Sequence, residues 1–197
     1  VWMELSELPI NGSIRVGHFK EPLRLEAVTS SKYITFMERA LPIAFSPERN
    51  SGIMYHSNIG DKISFQTGCF LEGDSYGNDK KVTNKLNVTS RVTYLAMNED
   101  DKLLHIGAAN SIRDNSENTY GFSSRAENHL GNKLMSVSFE NVDKTNIIAG
   151  EVAYVSNSLS LQGEYVRTSV SLASSDKYEL NGYYGQVSYF LTGESRP

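Results

Sequence analysis

Arg15, Lys20, Arg24, Lys32, Arg39, Arg49 and Arg91 are the side chains here whose type and spacing offer chemistry. The first six fall within one stretch, interleaved with Glu21, Glu26, Glu38 and Glu48. What such a set can do is electrostatic and not covalent. An oxyanion moving along a protein wall sheds part of its water shell, so the wall must return charge and N–H donors. Arginine supplies a planar fork matched to phosphate oxygens, and lysine a mobile point charge. The same cations can instead pair with the four glutamates and pin the stretch to whatever lies beneath it.

Most of these cations sit in residues 20–50, the longest segment without a strand pattern, and strand patterns flank it on both sides. Leu23, Leu25, Tyr33, Ile34, Phe36, Met37, Leu41, Ile43 and Phe45 are scattered through it. A solvated connection has no need of that apolar content, and long unstructured loops inside compact domains usually carry a function. The expectation is a loop packed against the inside of a β-barrel, with cations projecting into a water-filled passage.

The elements that would position such a loop are strands, read from period-two alternation. Ile63, Phe65, Thr67, Cys69 and Leu71 share one face, and Ser64, Gln66 and Gly68 the other. Leu86, Val88, Ser90, Val92, Tyr94 and Ala96 oppose Asn87, Thr89, Arg91 and Thr93. Parity puts Arg15 and Arg91 on the polar face, with Arg113 joining them if the register carries through. About nine strands result, and their connections alternate between short and long. The short ones are 9–12, 58–61, 98–101 and 156–157, and the long ones 20–50, 72–85, 114–146 and 168–179. An up-and-down sheet with all tight turns at one end has the loop asymmetry of outer-membrane barrels. Strands of about 9–11 residues also match a tilted bilayer crossing. Tyr55, Phe70, Tyr94, Tyr154, Tyr165 and Tyr189 near strand ends would suit an interfacial aromatic girdle. A soluble sheet with its apolar face turned inward would alternate in the same way.

Composition narrows the rest. A net charge of −4 over 197 residues argues against nucleic-acid binding. The single cysteine, Cys69, excludes an intrachain disulfide framework. No window approaches ~18 consecutive apolar residues, so no transmembrane helix is expected. The mean hydropathy of −0.38 is equally compatible with a membrane barrel. His18, His56, His105 and His129 lack metal-ligand spacing. Gly60-Asp61 and Gly73-Asp74 read as turns, and no G-x-S-x-G elbow occurs. The expectation is therefore no catalytic residue, no metal and no cofactor. The chain begins at Val1 without a leader pattern and closes on LTGESRP, which reads as the start of a loop. We expect a single barrel domain over 1–197, incomplete at both ends.

RVGHFKEPLRLE followed by SSKYITFMERALPIAFSPERNSG resembles the early barrel and constriction region of the phosphate-selective porin O and P family. GEYVRTSV and then NGYYGQVSYFLTGESRP resemble its later signature, a strand leading into LTGE-x-RP. RVTYLAMNEDDKLLHIGAANSIRDN is similar to its middle hairpin. The resemblance implies an all-β fold, an antiparallel up-and-down transmembrane β-barrel of about sixteen strands. It further implies a bacterial outer-membrane location, a homotrimer in contact with membrane lipid or lipopolysaccharide, and small phosphate-like anions as cargo. Two other readings stay open: a soluble or surface β-sheet ligand-binding module, and a structural outer-membrane protein with a plugged lumen.

Overall fold

Side chains two apart share a face of a strand, and that alternation becomes a continuous antiparallel sheet in the computed structural model. It describes residues 1–8, 11–72, 85–114, 118–128 and 130–196. The strands are β1 (Trp2–Leu8), β2 (Gly12–Lys20), β3 (Arg49–Ile59), β4 (Ile63–Leu71), β5 (Asn87–Glu99) and β6 (Lys102–Arg113). They continue with β7 (Tyr120–Arg125), β8 (Lys133–Phe139), β9 (Val142–Ser156), β10 (Leu159–Leu172) and β11 (Lys177–Tyr189). Among the described residues, nine strands form one sheet in the order β1-β2-β3-β4-β5-β6-β9-β10-β11, and β7-β8 is a separate hairpin. Each sheet neighbour is antiparallel and next in line, so the architecture is all-β and up-and-down. No helix among the described residues is long and apolar enough to cross a membrane.

The expected segment 20–50 is trimmed at both ends, since Lys20 closes β2 and Arg49 and Asn50 open β3; residues 21–48 hold only a single helical turn, α1 (Leu25–Val28), and a 3-10 turn, Leu41–Phe45. Pro42 suits the opening of the second turn, where an amide donor would have no partner. The segment lies against one face of the sheet, called the inner face below. Arg24 reaches Glu164 on β10, and Thr35 receives a hydrogen bond from Gln186 on β11. The core is built there. Leu23 and Phe45 of the segment pack with Ala109, Ile147, Ala149 and Val166 of the sheet and Phe122 of β7. Each large apolar side chain so buried contributes roughly 1.5–3 kcal/mol. On the other face Ile53, Val88, Val92, Ile106, Ile148, Val152 and Val187 are exposed, which makes an apolar outer surface.

Three expectations change on contact with the structure. Residues 168–179 are not a long loop. β10 runs to Leu172 and β11 starts at Lys177, because Thr168 and Val170 keep the inward phase and are both buried at 0% exposure. Phe70 is not part of an outer girdle. It points inward, edge-to-face with Phe19 at 5.5 Å between ring centroids, and packs with Met54. The connection 114–146 carries the short strand expected near Tyr120 and also its partner β8, which the polar sequence concealed. The expected turn at 9–12 and loop at 72–85 lie partly outside the described residues, as do Gly73, Asp74 and His129.

Candidate anion-binding site

The segment 20–50 is fastened by its acids as much as by its cations. The Glu21 carboxylate, fully buried, accepts hydrogen bonds from Asn50 Nδ2 at 2.6 Å and Thr89 Oγ1 at 2.5 Å. Arg113 Nη1 stands 3.1 Å from the same carboxylate, while its Nη2 bridges to Glu72. Arg24 is completely enclosed. Its Nη2 pairs with Glu164 at 3.0 Å, and its Nη1 donates to the Pro42 carbonyl and to Ser46 Oγ. Glu26 accepts from the Ala40 amide, which closes the segment on itself. Burial pushes the Glu26 carboxyl above the ordinary carboxylate range, and the nearby Glu164 charge adds to this. The Ala40 amide, Arg24 and Arg39 pull the other way. A buried pair broken on one side leaves an uncompensated charge, so these contacts hold the segment in a single position.

Between this fastened segment and strands β2–β5 lies a cavity of about 1310 Å³. Arg15, Lys20, Arg39, Arg49 and Arg91 line it, together with His18, Gln66 and Glu48. Arg39 and Arg49 come close enough to act electrostatically on Lys20. Lys20 Nζ donates to the carbonyls of Ala27 at 2.6 Å and Thr29 at 3.3 Å. Arg39 donates to the Glu26 and Thr29 carbonyls, both at 2.8 Å. Carbonyl partners orient a cation without cancelling its charge. Glu48, also in the lining, acts on Lys20 in the opposite electrostatic sense to the two arginines.

Two cations in the wall do have carboxylate partners. Arg15 pairs with Glu4 at 2.7 Å while stacking over Trp2 at 4.2 Å, and His56 also approaches Glu4. Arg91 is bidentate with Glu151, at 2.5 and 3.3 Å, and His105 Nε2 shares that carboxylate at 2.7 Å.

Of the cations expected to line a passage, Arg24 is not brought to this cavity. Its charge is spent inside the wall on Glu164. Lys32 is elsewhere too, over the Tyr33 ring in a smaller pocket of about 300 Å³ beside β11 and Arg196. Glu151, Glu164 and Glu72 are the important side chains that the pattern reading passed over. Strand parity would have placed Glu151 and Glu164 on the polar face, where an acid facing a row of cations is itself a signal. Among the described residues, no group of three His, Cys, Asp or Glu side chains converges to hold a metal ion.

A family model described as phosphate-selective porin O and P matches residues 8–197. Porin O of Pseudomonas aeruginosa is similar at 26% identity over 217 aligned positions, covering 95% of this chain and 48% of the relative. The chain thus spans about half the length of the curated relative it matches. With a match over nearly its whole length, the chain belongs to the phosphate-selective porin O and P family.

Proposed function

We propose that this sheet contributes to a water-filled outer-membrane β-barrel through which small anions, phosphate or polyphosphate among them, diffuse passively. The observation that carries the reading is the cavity shared by Arg39 of the inner segment and by Arg15, Lys20, Arg49 and Arg91 of the strands. Spread-out cations of this kind replace lost hydration while letting each ion leave again. Residues 20–50 act as the constriction loop, and Arg24 serves as its clamp and not as a contact for the ion. The apolar outer surface suits lipid, and the edge strands β1 and β11 need further strands, since unpaired strand edges are not tolerated in a bilayer. Assembly as a homotrimer and contact with membrane lipid or lipopolysaccharide belong to the same proposal. The work of such a protein is conduction and not catalysis.

The core between the inner segment, β7 and strands β6–β10 favours a second reading, a barrel plugged by its own loops. One experiment separates the two. The full-length protein in a planar bilayer is expected to conduct with anion preference. Arg39→Gln with Arg49→Gln should lower the anion-to-cation permeability ratio by up to about fivefold per charge, the worth of a unit charge ~4 Å away in water. Cation preference overturns the anion reading, and a closed bilayer favours the plug.

A further inference from the structure

The Arg91 charge is managed from a distance. β5 and β9 are not neighbours; β6 lies between them. Glu151 nevertheless reaches Arg91 because it crosses β6 at its pairing partner Gly107, where a Cβ would stand 2.5 Å from Glu151 Oε1. Beside that glycine on the same strand, His105 places Nε2 2.7 Å from the same oxygen that Arg91 Nη2 uses at 2.5 Å. The carboxylate side chain is 2% exposed, so it is shielded from bulk water and from ions in the cavity. Arg91, itself only 8% exposed, borders the cavity.

We propose that Glu151 is a specificity-determining positioning residue. Seated over Gly107, it offsets the Arg91 charge at neutral pH, and protonated His105, competing for the same carboxylate oxygen, returns that charge to the cavity. Anion preference then strengthens on acidification. The inference rests on the cavity being the conducting path.

The surrounding groups fix how this must be tested. Toward Glu151 face Gln66 of β4 beyond Arg91, and Glu164, its pairing partner on β10, which Arg24 closes and Tyr184 of β11 flanks. The cavity itself also holds His18, Glu48, Lys20, Arg39 and Arg49. His56 beside Glu4 and Arg15 repeats the arrangement on β1–β3, half exposed and not buried. His18 and His56 are imidazoles near the same set of charges, and each needs its own control.

The test is the chloride-to-potassium permeability ratio of the full-length protein in planar bilayers. It is read at about pH 7.5 and about pH 5.5, either side of the ordinary histidine pKa near 6.5. Glu151→Gln is expected to raise the ratio at the higher pH by up to about fivefold, the effect of one unmasked unit charge ~4 Å away in water-like screening. Gly107→Ala leaves every charge in place and only displaces the carboxylate, so it should move the ratio in the same direction. His105→Asn should remove most of the rise on acidification, while His18→Asn and His56→Asn each leave most of it.

A Glu151→Gln channel with the parent's ratio, or an acid rise intact in His105→Asn, overturns the inference and leaves the porin reading standing. Absence of any channel in the parent overturns both. Should Glu151→Gln fail to fold, His105→Asn carries the decision.

Discussion

One half of the inner face is filled and the other is open, although the same segment borders both. Over β6, β9 and β10, Leu23, Phe45 and Phe122 close onto Ala109, Ile147, Ala149 and Val166. Over β2 to β5, the wall carries Arg15, Lys20, Arg49, Gln66 and Arg91, across from Arg39 of the segment. The difference lies in how each half deals with charge. On the filled side, Arg24 and Glu164 are 0% and 1% exposed and pair with each other. On the open side, Lys20 and Arg39 meet carbonyl oxygens. The filled half fixes the segment, so the open half can hold like charges together without the segment drifting away.

Breaking the clamp is the strongest way to erase this contrast. Arg24→Ala leaves Glu164 buried with no cation, and removing one partner of a buried pair costs about 3–5 kcal/mol. The expected outcome is a denaturation midpoint well below the parent's, with protease cleavage appearing inside residues 20–50. An unchanged midpoint would show that the clamp is not what holds the segment. A milder break goes through packing. A Cβ on Gly182 would meet the Phe45 ring at 2.9 Å and Pro42 at 3.2 Å, so Gly182→Ala pushes the 3-10 turn off β11. Overpacking of this kind costs about 1–3 kcal/mol. Chemical denaturation of the folded barrel measures it, and Gly182→Ala should lose less than Arg24→Ala.

The sheet was legible because period two survives in most strands: Asn87, Thr89 and Arg91 point inward and Val88, Val92 and Tyr94 outward, as their spacing says. The segment's place was legible from its apolar content. Which cation does which job was not. Arg24 and Arg39 look alike in sequence, yet the partner that takes Arg24 into the wall, Glu164, lies 140 residues away. Local pairing with Glu21 or Glu26 was the nearer possibility, and those acids instead bind Arg113, Asn50 and the Ala40 amide. The Ser-rich stretch 168–172 misled for a related reason. Its composition is that of a loop, and only the inward phase of Thr168 and Val170 keeps it in the ladder.

The smallest effect sits where the two halves meet. Glu26 is buried between the clamp and the cavity, and its carboxyl is raised above the ordinary range, chiefly by desolvation. A raised folded value means that the ionised form is disfavoured in the fold relative to the unfolded chain. Stability is therefore fullest at pH below the unfolded carboxylate value, declines as pH climbs toward the raised folded value, and is level above it. Glu26→Gln keeps an acceptor for the Ala40 amide and removes the titration. Its denaturation midpoint should match the parent's in acid and exceed it progressively as pH rises toward neutrality. A difference independent of pH, or one that favours the parent at neutral pH, would mean that the Arg24 and Arg39 charges outweigh burial at this site. The boundary between filled and open halves would then be held by charge and not despite it.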